Sequence, residues 1–153
     1  AAQLDTRHCV TLPQLTQDAL RLCGRLFDAV REASTDAAAL QVRRAQAYIR
    51  ERYADPELSL NDITSYLAVS TSYFSTLFKG GTGMTFLEYL TGVRMEKARE
   101  ILTFTDLRSC EIAEKIGFSD PHYFSAAFKR ATGLTPREYR ERSRRETAGT
   151  SKK

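Results

Sequence analysis

The 153-residue sequence predicts an all-α protein: two helix-turn-helix units joined by a long central helix, with an amphipathic N-terminal helical extension. Three observations predict it. No segment shows the sustained period-two alternation of a half-buried strand. Helix starts and stops recur, as Ser or Thr followed three residues later by an acid and as glycine after an apolar periodic run. The chain also repeats itself. "YFSTLFKGGTGMTFLEY" (Tyr73–Tyr89) returns without a gap as "YFSAAFKRATGLTPREY" (Tyr123–Tyr139), with ten identities in seventeen positions. Two copies and not an array indicate a duplicated module.

Taken in order, residues 1–10 read as a frayed lead-in. Residues 12–33 place Leu15, Ala19, Leu22, Leu26 and Ala29 or Val30 at alternating spacings of four and three, a narrow apolar seam on one helix. Such a seam fits a dimerising coiled coil or docking onto another domain. "ASTDAAA" (Ala33–Ala39) reads as a short break. From about Ala38 a second helix carries Val42, Ala45, Ile49 and Tyr53 on one face and stops before Pro56, which pushes Asp55 out of the α region.

Ser59 with Asp62 forms a capping box that opens a short helix bearing Leu60, Ile63 and Leu67. Ser70 caps the next, Thr71–Gly80, with Phe74, Leu77 and Phe78 as its apolar face, and "GGTG" ends it. Thr85 with Glu88 starts the long connector to about Thr103, which buries Phe86, Tyr89, Leu90, Val93, Ala98, Ile101 and Leu102. A short helix over Ser109–Ile116, the turn "GFSDP" and a helix over Pro121–Arg130 follow, closed by Gly133. Thr135, Pro136 and Glu138 start the last helix. The domain expectations are an extension and linker over 1–38, a double helix-turn-helix domain over 39–143, and a basic disordered tail over 144–153.

Composition constrains the function classes. With 42% hydrophobic and 27% charged residues the chain is an ordinary globular sequence. No apolar run approaches the roughly 18 residues of a membrane span, so no membrane partner is expected. The start, "AAQLDTRHCV", shows no signal-peptide pattern and no initiator Met, so a piece of a longer protein is expected. Cys9, Cys23 and Cys110 make no metal-ligand spacing with His8 or His122, which predicts buried or incidental thiols, a reducing cytoplasmic setting and no metal or cofactor. The net charge of +4 resides in residues 137–153, so charge alone supports only a basic tail.

The duplicated unit is a short helix, a tight turn and a second helix. Ile63 pairs with Ile112, Leu67 with Ile116 and Ser70 with Ser119, and copy two has one extra turn residue near Asp120. This plan also occurs as plain packing. In DNA binders the second helix enters the major groove. Opposite each apolar face lie small, polar or aromatic residues suited to a groove: Ser72, Tyr73, Ser75 and Thr76, then His122, Tyr123, Ser125 and Ala126. Lys79, Lys129 and Arg130 end the two helices where phosphates would pass, and Thr71 and Arg137 complete the expected phosphate set. A connector of about 18 residues is roughly 27 Å long. Successive major grooves recur about every 34 Å, so the duplex is expected to bend toward the protein or to take one helix shallowly.

The run from about Ala45 to Arg140 resembles the DNA-binding domain of AraC/XylS-type transcription regulators. "IAEKIGFSDPHYFSAAFKRATGLTPREYR" (Ile112–Arg140) is similar to that family's second-repeat signature, and "FLEYLTGVRMEKAREIL" (Phe86–Leu102) to its connecting helix. "AQAYIRERYADPELSLNDI" (Ala45–Ile63) resembles the bacterial subgroup joined to receiver domains of two-component response regulators.

The resemblance implies sequence-specific duplex DNA binding in transcription regulation, with helices 71–80 and 121–130 in adjacent major grooves. Ser72, Ser75, Thr76, His122, Ser125 and Ala126 then face bases. Phe78, Phe128, Gly117, Gly133, Leu134 and Tyr139 are packing and capping positions, and Arg94 is expected to pair with a neighbouring acid. Thr64 departs from the family's usual Ala, and "KGGTG" from a more basic loop. No Arg, Asn or Gln stands at a reading position, which predicts modest intrinsic specificity.

Expected partners are promoter or operator DNA, RNA polymerase, and a second copy through the 12–33 helix. The alternative is a protein–protein interaction and dimerisation module that binds no DNA of its own. An enzyme is not expected. Asp120, His122 and Ser125 crowd one turn and a half of a single helix and cannot form an orienter–base–nucleophile line.

Overall fold

The computed structural model describes the backbone of residues 12–150. The expected lead-in at 1–10, with His8 and Cys9, and residues 151–153 of the expected tail lie outside the described residues. The described chain is helical, without a strand: α1 (Leu12–Arg52), α2 (Leu60–Leu67), α3 (Thr71–Thr82), α4 (Phe86–Phe104), α5 (Ser109–Lys115), α6 (Pro121–Thr132) and α7 (Pro136–Thr150). It divides into two compact units, Ala1–Leu40 and Gln41–Lys153. None of the described helices is long and apolar enough to cross a membrane.

Two expectations about continuity are corrected. The break at Ala33–Ala39 is absent, and α1 runs unbroken for 41 residues. Four alanines in that stretch favour helix, and no Gly or Pro interrupts it. The disordered tail from 144 is also corrected, because α7 continues to Thr150. Arg140 Nη2 donates to the Leu107 carbonyl and Arg144 pairs with Asp106, tying α7 to the loop before α5.

Of the seam on α1, Leu15 lies outside the described side chains. Ala19, Leu22, Leu26, Ala29 and Val30 are all exposed, as are Leu20 and Phe27. Of the thiols expected to be buried or incidental, Cys23 and Cys110 are free and exposed.

The second unit contains two hydrophobic cores. Val42, Ala45 and Ile49 of α1 pack with Leu58, Ile63, Leu67, Phe74, Phe78, Leu90 and Val93. Met95, Ala98 and Leu102 of α4 pack with Ile112, Ala113, Ile116, Phe118, Phe124, Ala127 and Phe128. Val42, Ala45 and Ile49 precede Met95, Ala98 and Leu102 at one constant offset, so the duplicated unit is three helices and not two. The central helix α4 ends the first unit and begins the second. Thr64, the departure from alanine, is buried but satisfied, its hydroxyl donating to Asn61 O at 3.1 Å.

Details repeat as well. Phe78 meets Tyr89 edge-on at 5.4 Å, and Phe128 meets Tyr139 in the same way at 5.4 Å. Thr82 donates to Phe78 O at 2.7 Å and Thr132 to Phe128 O at 2.8 Å. Gly83 and Gly133 then close α3 and α6 with φ of 75° and 78°. Both helices run two residues past the expected ends at 80 and 130, because Gly80 and Gly81 remain helical and Gly83 supplies the left-handed stop.

At three helix starts a carboxylate three residues past a Ser or Thr cap accepts from the cap amide. Asp62 accepts from the Ser59 amide at 2.8 Å, Glu88 from the Thr85 amide at 2.8 Å, and Glu138 from the Thr135 amide at 2.8 Å. The Ser59 hydroxyl and amide hold Asp62 below its ordinary value of 3.8. The threonine amides, then their hydroxyls, hold Glu88 and Glu138 below 4.5. A native value lower than the unfolded one stabilises above the unfolded value and is lost as pH falls through the native value. Stability is therefore expected to be level near neutrality and to drop below about pH 4.5. Joint Glu88→Gln and Glu138→Gln substitution should lower the neutral plateau and soften that acid drop in thermal unfolding. An unaltered acid limb would remove these caps as its cause.

Candidate nucleic-acid interface

Helices α3 and α6 are built alike. Ser70 Oγ accepts from Tyr73 N at 3.3 Å to start α3, and Asp120 Oδ1 accepts from His122 N at 2.8 Å to start α6, with Pro121 in the first helical position. Phe74 and Phe78 anchor α3 inward; Phe124, Ala127 and Phe128 anchor α6. The helical period then turns Ser72, Tyr73, Ser75 and Thr76 outward on α3, and all are exposed. On α6, His122, Tyr123 and Ala126 are exposed and Ser125 is half-buried.

The hydroxyls are engaged with their own helices. Ser75 donates to Thr71 O at 2.8 Å, Thr76 to Ser72 O at 3.2 Å and Ser125 to Pro121 O at 2.9 Å. Their protons are committed to carbonyls, so each presents oxygen lone pairs outward and acts as an acceptor until it rotates.

Among the expected phosphate residues, Thr71, Lys79, Lys129 and Arg130 are exposed. Lys79 lies near enough to Glu88, and Lys129 to Glu138, to help hold those carboxylates low. Each of these lysines thus lies near the cap of the following helix. Arg137 is 88% exposed and already donates to Glu141 Oε1 at 3.1 Å.

Leu87 lines a hollow with Ser75 and Lys79 of α3, and also a groove of about 460 Å³ with Tyr123 and Arg130 of α6. Leu87 of α4 therefore borders residues of both candidate helices. The expected ion pair of Arg94 is corrected. Arg94 Nε donates to Tyr53 O at 2.9 Å and Nη2 to Asp55 O at 2.8 Å, while its guanidinium covers the Phe118 ring at 5.3 Å. Burial lowers its pKa, and the Asp55 charge partly restores it. Carbonyls just past the end of α1 lack helical partners, and a planar fork serves two of them better than it would one carboxylate.

A family model described as a helix-turn-helix domain matches residues 63–142, just over half the chain. The chain belongs to the AraC-type helix-turn-helix family. The transcriptional regulatory protein YesN of Bacillus subtilis is 39% identical to this AraC-type domain over 104 residues, which is 66% of this chain and 28% of that protein. The solved C-terminal domain of AraT, a response regulator from Geobacillus stearothermophilus, is 44% identical with a TM-score of 0.64. That match covers 66% of this chain and 84% of the solved one. At the level of fold alone, the AraC-type domain also matches the DNA-binding domain of AdpA in complex with a target DNA. The TM-score is 0.65 at 24% identity, over 69% of this chain and 94% of that one. The chain spans about a third or less of the length of the curated regulators it matches, and as little as 8% of one.

Sequence reasoning missed two features of the AraC-type domain. Met95 is buried at 2% exposure in the second core, and the sign available was its correspondence to Val42. The tie from Arg94 to residues 53 and 55 had no local signal, because its acceptors are carbonyls about forty residues away.

Proposed function

We propose that this chain is the DNA-reading part of a transcription regulator in a cytoplasmic setting. In this reading α3 and α6 enter successive major grooves of one duplex. The observation that carries it is the duplicated, capped helix that exposes Ser, Thr, Tyr and His side chains, adjoins Leu87 of α4 and ends in Lys79 or in Lys129 and Arg130. Ser72, Tyr73, Ser75, Thr76, His122, Tyr123, Ser125 and Ala126 face bases. Thr71, Lys79, Lys129, Arg130 and Arg137 face phosphates, and Arg137 leaves Glu141 to do so.

Helix α4, with 19 residues, is about 28 Å long at 1.5 Å per residue. That is shorter than the roughly 34 Å groove repeat, so the duplex bends toward the protein. The exposed Leu22, Leu26 and Val30 of α1 support a second copy of this chain as the partner there. RNA polymerase as a partner rests on family membership alone.

Fluorescence anisotropy on a generic duplex of about 25 base pairs, titrated with salt, tests the reading. Log affinity should fall linearly with log salt, by about 0.9 for each phosphate contact. Lys129→Ala should weaken all sequences alike and flatten the slope by about one contact. A flat, weak response from the unsubstituted chain would sink the reading. A changed sequence preference at an unchanged slope would move Lys129 off the phosphate.

A further inference from the structure

Gly92 occupies an exposed position in the middle of α4, where glycine is a poor choice for a helix. Four other glycines in the domain have internal reasons. A Cβ on Gly81 would come within 2.9 Å of Val42 Cγ2, and Gly83, Gly117 and Gly133 adopt positive φ. Gly92 has neither reason, for a Cβ there would meet no atom within 4 Å. Gly24 and Gly80 share such open surroundings, but Gly92 lines the groove between α4 and α6.

The groove has Leu87 and Met95 along its α4 side, Tyr123 and Arg130 on its α6 side, and Arg99 farther along α4. Leu87 also lines the separate hollow beside Ser75 and Lys79. An occupant must be elongated, follow α4 beside α6, and suit two guanidinium groups over an apolar floor that Glu88 and Glu96 also border. Because α4 is shorter than the groove repeat, a duplex bent toward the protein presses its intervening strand onto the middle of this helix.

We infer that this groove takes the sugar–phosphate backbone of the bound duplex between its two contacted major grooves. Gly92 admits the sugar close to the α4 backbone, and Arg99 contacts a phosphate beside Arg130. The inference rests on the DNA-reading function proposed above. Glu96, exposed and also on the groove, opposes the strand and limits its affinity.

The test uses the full 153-residue chain on the same generic duplex of about 25 base pairs, long enough for both grooves. Gly92→Leu should weaken binding at least about tenfold while leaving the salt slope unchanged, because it removes space and not charge. Arg99→Gln should lower the slope by about one contact, and Glu96→Gln should tighten binding. Gly92→Ala should raise the thermal unfolding midpoint, since alanine favours helix, and still weaken DNA binding. That opposition of sign is not expected of a residue serving only the fold, and it keeps the test open should the leucine variant fold poorly.

If the unsubstituted chain binds with a steep salt slope while the Gly92 and Arg99 variants bind as it does, the groove belongs to some other occupant and this inference falls alone. If the unsubstituted chain shows no salt-sensitive binding, both readings fall.

Discussion

Replacing Gly117 by alanine is expected to destabilise the protein by about 3 kcal/mol or more, most of it from a steric conflict and not from the backbone angle. Gly117 has φ of 84° in the turn between α5 and α6. Its counterpart in the first repeat is Ala68, which holds φ of 55° with the same pattern of turn hydrogen bonds. Alanine is thus tolerated in this conformation, at about 1 kcal/mol relative to glycine. The two sites differ in their surroundings. A Cβ on Gly117 would sit 2.7 Å from Tyr53 O, 2.8 Å from Arg94 Nη2 and 3.0 Å from the Ala54 carbonyl carbon.

Two of those three atoms are backbone and cannot swing aside, and the third is held by its own hydrogen bond. Gly133→Ala is the matched control. Its φ is 78°, but a Cβ there would meet nothing within 4 Å. That control should therefore cost only about 1 kcal/mol. Equilibrium urea unfolding of both variants checks the contrast; equal losses would mean that the approach of Tyr53 to the turn is looser than described.

Arg94→Ala should cost about 2–4 kcal/mol, because it strands the Tyr53 carbonyl, leaves Asp55 O only the Leu58 amide at 3.3 Å, and uncovers an aromatic face. Arg94 leaves the middle of α4, donates to Tyr53 O and Asp55 O beyond the end of α1, and lies over Phe118 in the turn before α6. It therefore joins the segment leading into the first repeat to the turn of the second. Arg94→Lys keeps the charge but loses the fork, and should recover less than half of the loss.

A second readout separates positioning from mere stability. At temperatures where the variant is folded, Arg94→Ala should lose more affinity for a duplex of about 25 base pairs, which offers both grooves, than for one of about 10. Equal losses on both lengths would leave Arg94 a stabilising residue with no part in spacing the reading helices. A change in stability within about 0.5 kcal/mol would sink the clamp itself.

Much of this was legible locally. Ser59–Asp62, Thr85–Glu88 and Thr135–Glu138 each announced a helix start that the hydrogen bonds supply. The repeated Phe, Gly and Tyr positions announced the equivalent cores. Where local signals competed, they misled. The Ser-Thr-Asp run inside α1 resembled a break but sits among alanines, and the polar end of the chain resembled a tail but continues α7. The candidate reading residues were legible by subtraction, since the helical period leaves Ser72, Ser75 and Thr76 outward once Phe74 and Phe78 are inward.

By itself, then, the sequence determined the all-α class, the duplication, the helix starts and the family, because caps, glycine stops and apolar periods act within a few residues of one another. Only the tertiary structure decided that the repeat is three helices sharing α4, that Arg94 binds carbonyls, and that Gly117 must lack a side chain. It alone also placed a groove between α4 and α6. Each of these depends on residues far apart in the chain, whose approach is set by how the two cores pack on opposite ends of one helix.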